Sequence, residues 1–143
     1  MEIERDRYLQ KILSFMWDGQ VKVITGIRRC GKSYLLQNLF RNYLIGEGVA
    51  EDHILSLELD LIRDIRYRNP LELVSHVRKI VEHSADQYYL FVDEIQMSDE
   101  VPNPYNPKGK RITFYDALND LKSLSNLDIY VTGSNSKMLS SDI

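Results

Sequence analysis

Disulfides, membrane spans and a strong charge of either sign are all missing from this chain. Its 143 residues include one cysteine, Cys30, so no disulfide can close within it, and such usage suits a reducing compartment. No apolar run approaches the roughly 20 residues that a membrane-spanning helix needs. The 18 basic and 21 acidic residues leave a formal charge of -3, which offers little attraction to nucleic acid or an anionic lipid surface. The opening stretch Met1-Glu2-Ile3-Glu4-Arg5-Asp6 is polar and acidic, the reverse of a secretory signal. The three histidines, His53, His76 and His83, lack metal-ligand spacing and have no second cysteine to join them. These absences lead us to expect a cytoplasmic protein with no membrane partner.

What is present reads as one folded domain over residues 1–143. Hydrophobic residues make up 43% and charged residues 27%, close to globular averages, so disordered, collagenous and coiled-coil classes are excluded. A first helix is expected over about Glu4–Trp17, with Leu9, Ile12, Leu13 and Met16 at helical spacing. Gln20–Thr25 is short and β-branched and predicts a strand. Gly26–Ser33 predicts a turn, and Ser33–Leu44 a helix that Gly46 and Gly48 stop. His53–Asp60 predicts a second strand. Asn69-Pro70 reads as an N-cap with proline at the first helical position, opening a helix with Leu71, Val74, Val77, Ile80 and Val81 inward. Tyr88–Val92 is a continuous apolar run, as in a strand covered on both faces. Thr113–Leu124 predicts a helix and Asp128–Thr132 a last strand. Alternation of this kind means a parallel sheet with helices on both faces, and ligands then bind at the carboxyl ends of the strands, just after Thr25, Asp60, Val92 and Thr132. Met97–Ile112 carries three prolines and no apolar period; a loop of that length is functional or disordered.

Gly26-Ile27-Arg28-Arg29-Cys30-Gly31-Lys32-Ser33 matches G-x-x-x-x-G-K-[ST], between a predicted strand and a predicted helix. Glycines let successive N–H groups curl around one anion, and the helix N-terminus adds partial positive charge. We assign nucleotide binding to Gly26, Ile27, Arg28, Arg29, Cys30, Gly31, Lys32, Ser33 and Tyr34. Lys32 would reach the β- and γ-phosphates and the Ser33 hydroxyl would ligate Mg²⁺. The plainer reading is a glycine turn before a helix capped by Ser33. Tyr88–Glu94 (YYLFVDE) resembles a Walker B strand, with Asp93 toward Mg²⁺ and Glu94 as general base for the attacking water. Alternatively, Asp93-Glu94 only begins a solvated loop. A base for water favours hydrolysis over a small-molecule kinase.

Three segments together, KVITGIRRCGKSYLLQ, YYLFVDEIQ and DIYVTGSNSKMLSSDI, resemble the prokaryotic AAA-type ATPases whose relatives carry an uncharacterised C-terminal domain. The resemblance implies a three-layer P-loop NTPase core of the ASCE class, with a mainly parallel sheet and helices on both faces. It implies ATP with Mg²⁺, and oligomeric or two-part action. It also implies a sensor at the end of the last strand, with Asn135 first and Ser134 and Thr132 behind it; a Gly/Ser/Asn turn is the simpler account. Relatives continue past that sensor with a further strand, a helical lid and the C-terminal domain. We therefore expect the last strand or strands and the lid to be lacking here. That leaves Gln20–Thr25 an edge strand that pairs with another chain or a second copy, or leaves the protein poorly soluble. No sensor-2 or arginine-finger position can be matched, and the Met97–Ile112 loop looks longer than the usual connection.

Other features carry less. Arg28 and Arg29 could meet phosphates or a neighbouring subunit, or face solvent. Cys30 could make binding oxidation-sensitive, or merely fill space. Glu58 and Asp60 end the second strand. Arg63, Arg66 and Arg68, and Lys108, Lys110 and Arg111, are basic clusters that could face nucleic acid, although the acidic total favours a solvated face. Tyr8 and Leu9 could lie near an adenine. Three functions remain open: an ATP-hydrolysing module, a nucleotide-binding switch with negligible turnover, and a small-molecule kinase.

Overall fold

The structure, a computed structural model, describes residues 2–25 and 29–133, without the side chains of residues 2–6, 29, 30 and 33. Among these residues one sheet forms, from β1 (Lys22–Ile24), β2 (Ile54–Glu58), β3 (Tyr88–Asp93) and β4 (Leu127–Thr132). Its order is β1-β4-β3-β2 and every pairing is parallel. The two central strands are buried along their whole length, as a sheet covered on both faces requires.

The pleat divides the core in two. Leu90 and Val92 of β3, with Ile129 and Val131 of β4, face a cluster completed by α4 (Pro70–Val81) and α5 (Phe114–Leu121). Tyr89, Phe91 and Tyr130 face the other way, onto α1 (Glu2–Ser14) and the helical stretch 29–46. The expected α/β architecture, a parallel sheet with helices on both faces, is the one observed. Among the described residues no helix is long and apolar enough to cross a membrane.

Element ends differ from the sequence expectation in instructive ways. The first helix stops at Ser14, not Trp17, because Trp17 turns the chain with a positive φ of 58° and Gly19 follows at 82°. The helix expected from Ser33 begins at Arg29, four residues earlier. It runs as α2 (Arg29–Tyr34), a π-helical segment (Leu35–Phe40) and α3 (Arg41–Gly46). Leu35 and Leu44 lie roughly two and a half α-turns apart, on opposite sides of a regular helix. The wider π turns bring Leu35, Leu36, Phe40 and Leu44 onto one buried face.

In α4 the expected inward set needs correction. Leu71 is 39% exposed, whereas Leu73, which was not expected inside, is fully buried with Val77 and Val81. Val74 and Ile80 pack at the margin. The phase is set at the start: Asn69 Oδ1 accepts from Leu71 N at 2.9 Å, and Pro70 occupies the first turn. Thr113 caps α5 in a reciprocal box with Asp116. Leu124, expected in that helix, lies beyond its end and packs on the core from there.

The 97–112 loop is folded. Val101 pairs with Ile112, Asp99 N donates to Arg68 O at 2.8 Å, and a Cβ on Gly109 would collide with the Asn106 side chain. The helix phase is directly testable. Leu73→Ala should cost about 2–5 kcal/mol of unfolding free energy, and Leu71→Ala about 0.5 kcal/mol or less. Urea titration of both variants measures this, and equal losses would contradict the observed phase.

Candidate functional site

The site assembles at the carboxyl ends of β1, β4 and β3. Lys32 in α2 is 2% exposed, and its Nζ donates to Gly133 O at 2.8 Å, directly past the end of β4. An ammonium this deep requires an oxygen partner, and the contact fixes α2 over the sheet end. One residue earlier, Thr132 Oγ1 donates to Asp93 Oδ1 at 2.6 Å and accepts from Glu94 N at 3.1 Å. Thr132 is fully buried and Asp93 is 2% exposed. A hydroxyl with one donor and two acceptor positions suits this dual role.

Glu94 leaves β3 in the left-handed region, φ 58° and ψ 55°, a conformation uncommon outside glycine. The turn separates the two acids: Asp93 stays in the sheet, while Glu94 is half-buried at the surface. Glu94 Oε1 accepts from Gln96 Nε2 at 2.6 Å.

Lys32, Asp93 and Glu94 are thus brought to one end of adjacent elements. Tyr34 follows on α2, 37% exposed. Gly31 lies within α2, as does the backbone of Arg29, Cys30 and Ser33. Gly26, Ile27, Arg28, Ser134 and Asn135, and the side chains of Arg29, Cys30 and Ser33, lie outside the described residues. The oxygen donor of Asp93 is of the kind Mg²⁺ prefers.

The weaker signals resolve into ordinary contacts. Arg63 pairs with Glu58 and Asp64, both at 3.1 Å, and Arg66 with Glu72 at 2.9 Å. Arg68 donates to Leu59 O at 2.6 Å, and Arg111 reaches Glu100 O at 2.8 Å. The arginines expected as basic clusters are engaged within the chain. Asp60 is exposed. Tyr8 and Leu9 pack beside the Ile12 and Phe40 cluster. The His53 ring packs at a tilt against Tyr88, with ring centroids 4.6 Å apart. The His76 ring packs at a tilt against Tyr67, and burial lowers its pKa.

A second polar centre lies at the opposite end of the sheet and was missed by sequence reasoning. Lys22 Nζ binds Asp128 and, at 3.0 Å, Asp18. The other Asp128 oxygen accepts from Trp17 N at 2.8 Å and from Tyr130 Oη at 2.6 Å. Trp17 Nε1 donates to Tyr89 Oη at 3.1 Å. Burial and the neighbouring Asp128 push the Tyr130 phenol far above its ordinary value, so it stays protonated as a donor. The legible signal was a charge inside each of two apolar strands, Lys22 and Asp128. Oppositely charged residues at such positions must find one another.

Fold and site geometry together define the class: a P-loop NTPase-like α/β core. A family model described as an AAA domain matches residues 18–143, and the chain belongs to that family, an ATPase-type nucleotide-binding class. An uncharacterised protein of Haemophilus influenzae is 30% identical over 141 residues, covering 99% of this chain and 32% of its own length. An uncharacterised protein of Methanocaldococcus jannaschii, MJ1544, is 29% identical over 129 residues, covering 87% of this chain and 23% of its own. The chain therefore spans about a third or less of the relatives it matches.

Thr132 offers a clean test of the site's construction. Thr132→Val keeps the shape but leaves the Glu94 amide without its acceptor. It should lower unfolding free energy by about 1–3 kcal/mol, read by denaturant titration; an unchanged midpoint would mean that the hydroxyl contributes nothing.

Proposed function

We propose that this chain binds ATP with Mg²⁺ and hydrolyses it, as the nucleotide-binding core of a longer AAA-type ATPase. The observation that carries the reading is the convergence of Lys32 and the Asp93–Thr132–Glu94 linkage at the carboxyl ends of β4 and β3. In an open parallel sheet that is where ligands bind.

In this reading the backbone of Gly26–Ser33 cradles the phosphates, with Tyr34 beside it. Lys32 exchanges the Gly133 carbonyl for phosphate oxygens. Ser33 and Asp93 hold Mg²⁺, which offsets phosphate charge when bound. Glu94, set apart from Asp93 by its left-handed turn, orients water for attack. Asn135 senses the γ-phosphate side, and Thr132 fixes both acids from beneath. A group that orients water favours hydrolysis over transfer to a small-molecule acceptor.

Two further assignments belong to the same reading. β1 pairs with β4 on one side only among the described residues. We assign its other edge to a further segment of the longer protein, to a partner chain or to a second copy. We also assign the chemistry to the cytoplasm, a reducing compartment that suits a chain with a single cysteine.

Two substitutions test the proposal. Lys32→Ala should abolish ATP binding, measured by calorimetry. Glu94→Gln should retain binding while turnover falls by about 10²–10⁴-fold, measured as phosphate release. Full hydrolysis in Glu94→Gln would remove the general-base role. Tight binding with no turnover in the wild type would favour the switch. Phosphate appearing on an added acceptor would favour the kinase.

A further inference from the structure

The turn that carries Glu94 contains one contact for which the roles above have no use. Gln96 is exposed, yet its Nε2 donates to Glu94 Oε1 at 2.6 Å. The two polar residues flank Ile95, which is 3% exposed and packed in the core. The segment is thus pinned at its centre while its outer side chains meet. Its backbone is fixed on both sides: Glu94 N bonds to Thr132 Oγ1, Met97 N to Glu94 O at 3.0 Å, and Ser98 N to Ile95 O at 3.0 Å. The chain then enters the folded 97–112 loop, anchored by Asp99 N on Arg68 O.

We propose that Gln96 is a positioning residue for Glu94: its side-chain amide holds one carboxylate oxygen and leaves the other to orient the attacking water. The chemistry of the donor matters. A glutamate at a half-exposed strand end samples several rotamers, and a base acts only from the right one. A lysine or arginine would fix the carboxylate as an ion pair and blunt its basicity. A neutral amide fixes it without a competing positive charge and has no proton to exchange near neutral pH.

The inference rests on Glu94 acting as the general base, and the experiment separates the two. ATP turnover, ATP affinity and thermal midpoint are measured for the wild-type full chain, Gln96→Ala, Glu94→Gln and the double variant. Gln96→Ala should lower kcat about tenfold or more, with ATP affinity and midpoint at wild-type values. The double variant should be no slower than Glu94→Gln alone, because the two residues act as one unit. A kcat at or above the wild-type value overturns the proposal, as does a loss matched by weaker ATP binding, or a double variant slower than Glu94→Gln. Turnover that is absent in the wild type, or survives Glu94→Gln, overturns the general-base reading beneath it.

Discussion

The hydroxyl of Thr132 links β4 to both acids at the end of β3. It donates to Asp93 and accepts from the amide of Glu94, so one buried oxygen spans two strands at the point where the chain must change direction. Without an acceptor there, the Glu94 amide would be left unpaired in a buried sheet end. The left-handed turn at Glu94 follows from the same constraint. One acid has to remain with the sheet and the other has to leave it, and a single residue at positive φ achieves both.

The rest of the fold serves that arrangement. A parallel sheet aligns all strand ends, so β3 and β4 deliver their terminal residues side by side. The order β1-β4-β3-β2 places the strand before the phosphate loop next to the one ending in Thr132. Covering both faces then makes β3 and β4 buried throughout, with their charged groups near the strand ends. The polar groups gather at two poles: Lys32, Asp93 and Thr132 above, and Lys22, Asp128 and Tyr130 below. The lower pole is structural in character. Its charges are matched within the chain, and its contacts join the turn after α1 to the start of β4.

Much of this was legible from the sequence, for identifiable reasons. The continuous run YYLFV could only be a strand covered twice, and the Asn69-Pro70 pair could only open a helix; both hold. The Leu71/Leu73 phase was not legible, because either leucine satisfies a 3.6-residue period and the first turn decides between them. The π segment was hidden for a similar reason: a leucine-rich stretch fits α and π spacing alike until the sheet selects the face. Thr132 was read only as a reserve sensor, since a hydroxyl's two partners are set by strand order, which alternation does not specify. The Gln96 contact escaped altogether, because a bond between residues two apart depends on the positive φ at Glu94. Gly26–Arg28, Ser134 and Asn135 lie outside the described residues, so those roles stand on motif chemistry.

β1 is three residues long and is held by β4 alone among the described residues. The segment Gly26–Ser33 therefore follows the shortest strand of the sheet, which lies at its margin among the described residues. Any ligand that grips the loop also grips that margin, and by linkage the affinity for the ligand contains the free energy of keeping the edge in place. Under the proposed nucleotide binding, occupancy of the loop and integrity of this margin are linked in one equilibrium, so a chain pairing with the other edge of β1 would act on nucleotide affinity without contacting the phosphates.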